Sequence, residues 1–233
     1  MLASGRLKRT AKRATTEKRT VSTATRVAEV LQEQIASQQL PPGSRLQEAQ
    51  LAAEFGSSRT IIREALNTLE QRGLVLRIPN RGSIVKRLEE KEVHEIFEIR
   101  EALEGLATYK ATLLAPEGAW RPFIDEFEGP LKERIADGDI DAYNDALERL
   151  RAKTIQLSDN DIGKHFLNQI LDRARVIKIR VTLLPGRAEF GREMHLRMLR
   201  SMEDRDAEGA QRCKREIIRT AKELFGKYKS LIL

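Results

Sequence analysis

The sequence is poor in the features that most often betray secretion, membrane insertion or catalysis. It has one cysteine, Cys213, among 233 residues, so no internal disulfide can form. A disulfide-stapled miniprotein is thereby excluded, and a reducing, intracellular setting is expected. No apolar run approaches the roughly 20 residues a membrane span requires, and the mean hydropathy is −0.47. The first 26 residues have no apolar stretch of the kind a secretory signal carries. No Ser/His/Asp or Cys/His arrangement and no phosphate-cradling glycine loop is evident, so an enzyme is not expected. Only three histidines are present, His94, His165 and His195, spread over about 100 residues of chain. There is no internal repeat.

What is present is an uneven charge. The formal net charge is +7, with a pI near 9.6. Residues 1–26 hold eight basic side chains and one acidic one, which accounts for all of it. That stretch offers almost nothing to bury and reads as a basic tail over residues 1–24. Over residues 27–87 there are eight basic and six acidic side chains, and over 88–233 there are 26 and 28.

From Thr25 the pattern changes. Val27, Val30, Leu31 and Ile35 recur at helical spacing, and Leu40-Pro41-Pro42-Gly43 stops the run. A second short helix is predicted over Gln47–Phe55, with Gly56 suited to the left-handed turn beyond its end. Ser57-Ser58 can cap a third helix from Arg59 to about Arg72. Leu74–Ile78 and Ser83–Lys86 then read as two β-runs flanking Pro79-Asn80-Arg81-Gly82, a hairpin and the only sheet expected in the chain. Beyond Arg87 helices are predicted over about 89–114, 118–136, 140–158, 161–183, 187–203 and 206–228. Breaks fall at Pro116, Pro130, Gly138, Ser158-Asp159-Asn160, Pro185-Gly186 and Asp204-Arg205-Asp206, and such short interruptions favour an antiparallel bundle. Trp120, Phe123, Phe127, Leu131 and Ile135 form a core stripe on the second of these. The fold class is therefore mainly α, a winged helix-turn-helix over residues 25–87 followed by an all-helical bundle over 88–233.

The third helix carries the chemistry of a DNA reader. Ile62, Ala65, Leu66 and Leu69 make an inner face, which leaves Arg59, Thr60, Arg63 and Asn67 outside. Arginine reaches guanine O6 and N7 or a phosphate, Thr and Ser bond phosphates, and asparagine pairs with adenine. With Ser58 at the helix start and Asn80, Arg81 and Gly82 at the hairpin tip, these form the candidate DNA-binding set. The plainer alternative for each residue is an ordinary solvated side chain.

Taken together, Leu40-Pro41-Pro42-Gly43-Ser44-Arg45-Leu46, Gly56-Ser57-Ser58-Arg59-Thr60, Arg63-Glu64-Ala65-Leu66, Leu69-Glu70, Gly73-Leu74-Val75 and Pro79-Asn80-Arg81-Gly82 resemble the winged domain of the GntR family of bacterial transcription regulators. The chain departs from that pattern at Gln47 and Ala49, where the family usually has Ser or Pro and a basic residue, so a DNA contact from the second helix does not carry over. Ile96–Ala107 and His195 with Asp206–Ala210 resemble the two ends of the FCD ligand-binding domain of the FadR-type branch. The resemblance implies a cytoplasmic, nucleoid-associated bacterial regulator. It further implies a homodimer on a pseudo-palindromic operator, double-stranded DNA as partner, and a small carboxylate effector whose binding tilts the bundle against the head through residues 86–92.

Many FCD domains hold a divalent metal with one Asp and three His. Here those positions fall on Leu147, Arg151, His195 and Ile217, so no metal cofactor is expected. Asp145 and Glu148 are rotated away from the required direction, and His94 and His165 lie on other helices. Arg151 then either substitutes its fixed charge for the metal and grips the effector carboxylate, with Arg100 as a second contact, or forms an ion pair with Glu104 or Glu148. His195 is either a packed, hydrogen-bonded histidine or a ligand contact. The alternative function is an architectural nucleic-acid binder whose bundle only dimerises.

Overall fold

The computed structural model describes residues 22–78 and 82–232. Helix α1 spans Thr23–Ala36, two residues earlier than its apolar pattern begins, because Ser22 caps it by accepting from the Thr25 amide at 3.1 Å. It buries Val27, Ala28, Leu31 and Ile35. Strand β1 is Arg45–Leu46, followed by α2 (Glu48–Glu54) and α3 (Arg59–Gln71). Ser58 caps α3 through the Ile61 amide at 3.3 Å. Burial of its Ile62, Leu66 and Leu69 stabilises the head by roughly 1.5–3 kcal/mol for each side chain. Gly73, at φ +72°, turns the chain out of α3 into β2, Val75–Ile78. A Cβ there would lie 3.2 Å from Cδ of Arg173, so this glycine also admits a side chain from the bundle.

Strand β3, Gly82–Val85, pairs antiparallel with β2, Val75 opposite Val85 and Ile78 opposite Gly82. It also pairs with β1, Arg45 opposite Ile84, so the expected hairpin is in fact a three-stranded sheet of order β1-β3-β2. Two residues are too few to show a strand period, which is why β1 is not visible as a pattern.

The bundle comprises α4 (Glu90–Leu114), α5 (Arg121–Glu128), α6 (Pro130–Ala136), α7 (Ile140–Leu157), α8 (Asp161–Thr182), α9 (Arg187–Glu203) and α10 (Ala207–Ile232). The stretch expected over 118–136, with a break at Pro130, is two helices. Gly129 leaves the helical region (φ −108°, ψ −99°), and Pro130 supplies no amide to bridge the gap. The apolar stripe survives the break: Trp120, Phe123, Phe127 and Leu131 are all buried. Helix α10 runs on to Ile232, with a kink at Tyr228.

Two apolar clusters form. One joins α1, α3 and the sheet to Val93, Ile96 and Phe97 of α4, Ile177 and Val181 of α8, and Phe225 of α10. The other packs α5, α6, α7 and α9 around Trp120, Phe127 and Met198. The DNA-reading head therefore shares a core with the near half of the bundle. Polar contacts reinforce this docking. Asp172 of α8 accepts from Gln32 of α1 at 2.6 Å and lies 3.4 Å from Nε of Arg72, while Glu92 binds both Lys86 and Arg173 at 2.8 Å.

Candidate nucleic-acid interface and ligand cavity

The outer face of α3 has the expected composition. Ser58, Arg59, Thr60, Arg63 and Asn67 are exposed, whereas Ile62, Ala65, Leu66 and Leu69 are at most 3% exposed. Gly82 is exposed at the start of β3, with φ +84°. Asn80 and Arg81 lie outside the described residues, as does the basic tail up to residue 21. Arg63 has a partner that its spacing does not suggest: its Nε and Nη2 donate to the two oxygens of Glu48, at 2.9 and 2.7 Å. That pair, made with the first residue of α2, holds the Glu48 carboxyl below its ordinary range. The pair occupies Nε and Nη2 of Arg63 on the exposed face of α3.

Arg59 sits in the first turn of α3, so its loss tests what this face does. Arg59→Ala is expected to weaken binding to an operator selected from random duplexes by about 1–3 kcal/mol, with a smaller loss on unrelated DNA, in anisotropy titrations at fixed salt. Equal losses on both would place Arg59 on phosphate alone.

The second site is a cavity between α4, α7, α8, α9 and α10, with about 620 Å³ of space including its mouth. Arg100, Arg151 and His195 all line it. So do Leu147 and Ile217, so the four positions to which the family resemblance assigns metal ligands line one cavity. The residues there do not suit a divalent ion: one imidazole faces two aliphatic side chains and a guanidinium. Glu148 is occupied elsewhere, and among the described residues no group of three or more His, Cys, Asp or Glu is placed to hold a metal. His94 packs edge-on to Phe225, and His165 bonds Gln169, both away from this cavity.

Two ion triads flank the cavity. Glu104, 2% exposed, is held by Arg100 and Lys214, each at 2.7 Å. Burial opposes its ionisation, but the two cations keep its carboxyl far below the usual range. Glu148 is held by Arg151 at 2.6 Å and Lys178 at 2.5 Å. Against the cost of burial those cations bring its carboxyl down to about 2. Both readings of Arg151 thus meet in one geometry. Its Nε and Nη2 pair with Glu148, while Nη1 is buried without a partner.

His195 is packed and hydrogen-bonded: Nδ1 lies 2.7 Å from the Gly191 carbonyl and 3.3 Å from the Tyr143 hydroxyl. A carbonyl only accepts, so Nδ1 carries the proton and Nε2 is the acceptor of the neutral ring. Burial, together with Lys214 and Arg187, pushes the imidazole down to about 3. A Cβ on Gly191 would come within contact-breaking distance of the Tyr143 hydroxyl, so glycine is required for this arrangement.

Sequence reasoning did not select Lys178, Arg187 or Lys214, which also line the cavity. Each lies on a helix rich in charge, where a lone basic residue carries no sign that it turns inward. Arg187 follows Pro185-Gly186, which marks only a chain break.

A winged helix-turn-helix head sharing a core with an all-helical, cavity-bearing domain is the architecture of a transcription regulator. The comparisons with known proteins agree. Residues 23–85 match the family described as bacterial regulatory proteins, gntR family, and residues 95–220 match the FCD domain. The chain therefore belongs to the GntR family of bacterial transcription regulators, in its FadR-type, FCD-containing branch. It is 30% identical over 173 residues to the uncharacterized HTH-type transcriptional regulator YdhC of Bacillus subtilis, covering 73% of this chain and 76% of that one. It is 42% identical over 83 residues to a gluconate operon transcriptional repressor of Bacillus licheniformis, 36% of this chain and 34% of that one. In structure it resembles E. coli McbR/YncC, with a TM-score of 0.76 and 24% identity over 90% of this chain and all of the other, a likeness that establishes the fold. Among the described residues no helix is long and apolar enough to cross a membrane.

Proposed function

We propose that this regulator is an operator-specific repressor that binds DNA as a homodimer and releases it when a small organic acid fills the cavity. Residues 25–87 read DNA, residues 88–233 bind effector and dimerise, and residues 1–24 act as a basic arm, in a bacterial cytoplasm. The observation that carries the effector reading is the meeting of Arg100, Arg151 and His195 in one cavity, with Nη1 of Arg151 buried and unpartnered. A buried guanidinium donor left without a partner is costly, and a carboxylate is the group that best relieves it. The repressor reading rests on the printed roles of relatives such as the gluconate operon repressor. For the dimer, Ile99, Leu106 and Leu113 recur every seven residues on α4 and are 48%, 39% and 53% exposed, an apolar row suited to a second copy.

Coupling follows from α8. Lys178 and Val181 line the cavity, while Asp172, Arg173 and Arg175, one to two turns earlier, hold the head. The cavity also lies on the seam between the two clusters: Phe97, Val181 and Ile218 belong to the head-side core, Tyr143 and Ile217 to the distal one. A ligand that spreads this seam displaces α8 and, through Glu92 and Asp172, the reading head. Allostery further requires that effector and operator each lower the other's affinity by the same factor.

Two measurements test the reading. Arg151→Ala is expected to weaken binding of an active organic acid by about 10–100-fold in calorimetry, the range for a charge-assisted pair, and to abolish release of DNA by that acid in gel shifts. Unchanged affinity would remove Arg151 from the site. Deleting residues 1–22, which hold seven basic side chains and one acidic one, is expected to weaken binding to all duplexes evenly and flatten the salt dependence. Loss at the operator alone would show that the arm reads bases. A wild-type protein with steep salt dependence and no preferred site would instead be an architectural binder.

A further inference from the structure

We infer that the cavity's ligand carries two acid groups on one short chain, an inference that rests on the effector reading above. The argument is a charge count. Five basic side chains line the cavity: Arg100, Arg151, Lys178, Arg187 and Lys214; burial lowers the pKa of Lys178, and its contact with Glu148 opposes that. Among the described residues two carboxylates pair with them, Glu104 between Arg100 and Lys214 and Glu148 between Arg151 and Lys178. The next acidic group, Glu189, is bound through two bonds to Arg192 and is not free to help. His195 is neutral, and burial raises the ionisation of the Tyr143 hydroxyl far above neutrality, so neither alters the balance. Each triad thus holds two cations against one carboxylate, and Arg187 adds a third uncompensated charge.

Charges of one sign are not gathered in a low-dielectric site without a counter-charge. A monoacid supplies one and leaves most of the excess. The placement of the free donors then sets the number of anchors. Nη1 of Arg151, in the middle of α7, and Nη1 of Arg187, at the first residue of α9, are both buried and without partners. Arg187 is 8% exposed, and among the described residues it has no acidic partner. Two orphaned guanidinium donors on separate helices fit two acid groups joined by a spacer. Phe97, Leu147, Val181 and Ile217 line the same cavity, and such apolar side chains suit a short carbon chain.

The test uses the intact protein and calorimetry, with succinate against butyrate, glutarate against valerate, and inorganic phosphate. The diacids are expected to bind at least about 10-fold tighter than the chain-matched monoacids. Phosphate, whose charges share one centre, is expected to bind no better than butyrate. Arg187→Gln is expected to bring diacid affinity down to about that of the chain-matched monoacids while lowering monoacid affinity by a clearly smaller factor, with an unaltered circular-dichroism melt as the folding control. Equal affinity of diacid and monoacid, or equal losses on both in Arg187→Gln, would overturn the two-anchor inference and leave the effector reading standing. No heat from any of the four acids at about 10 mM, roughly ten times the dissociation constant of a millimolar site, overturns both.

Discussion

Glu104→Ala is expected to cost about 3–5 kcal/mol of stability, the range for leaving a buried charge without its partner. Glu104 is 2% exposed and, among the described residues, carries the only carboxylate bound to Arg100 and Lys214, whose side chains are each 12% exposed. Removing it leaves two largely buried cations near three more basic side chains, where screening is weak. Glu104→Gln keeps the volume and one acceptor but loses the charge, and is expected to cost nearly as much. The comparison that isolates the cause is a diacid added to the alanine variant. If the loss comes from uncompensated positive charge, saturating succinate restores more stability to Glu104→Ala than it adds to wild type, in urea denaturation monitored by circular dichroism. A ligand increment equal in both proteins would mean that Glu104 acts through packing against α10 rather than through charge.

The same residue shows where sequence reasoning reaches its limit. Helix α4 was legible as a helix, and Arg100 and Glu104 as neighbours four residues apart. Their burial was not, because it depends on α10, more than 100 residues later, bringing Lys214 to the same point. The DNA-reading head was the most legible part. The four inner positions of α3 are buried and the five outer candidates are exposed, since a single helix lying on one core obeys its own period. Even there the Arg63–Glu48 pair escaped notice, because it joins two helices across a turn.

In the bundle, helix boundaries followed from Pro, Gly and Asp-rich breaks to within a few residues, the break at Pro130 among them. Arg100, Arg151 and His195 were identified through the resemblance to FCD domains, and they share the cavity. The choice between ion pair and ligand contact for Arg151 was not decidable from spacing, because the guanidinium has enough donors for both. Nε and Nη2 bind Glu148, three residues earlier, and Nη1 remains. Arg187, which carries the second anchor, had no signal at all: its inward direction is a product of how α9 leaves Gly186, at φ +73°.

The bundle is also expected to be acid-labile, and His195 gives the window. Its imidazole falls from an ordinary 6.5 to about 3 on folding, chiefly through burial and then through the positive charges of Lys214 and Arg187, with the Gly191 carbonyl and Glu104 opposing. The unfolded chain therefore binds a proton over pH 6.5 to 3 that the folded protein refuses. Full stability is present above about pH 6.5 and drains away as pH falls toward 3. The drop corresponds to a loss on the order of 4 kcal/mol across that window. Glu148 adds in the same direction at lower pH, since its carboxyl moves from 4.5 to about 2 and the stability it supplies above 4.5 disappears on the way down. His195→Gln keeps a donor for the Gly191 carbonyl but does not titrate. Urea denaturation of the two proteins at pH 7, 6 and 5 is expected to show a steep fall for wild type and a shallow one for the variant, although the variant starts lower at pH 7. Parallel slopes would show that another group governs the acid transition. A bound diacid brings negative charge next to the ring and eases its protonation in the folded state, so succinate is expected to shift the wild-type fall to lower pH. That shift links the cavity's charge excess to stability without reference to DNA.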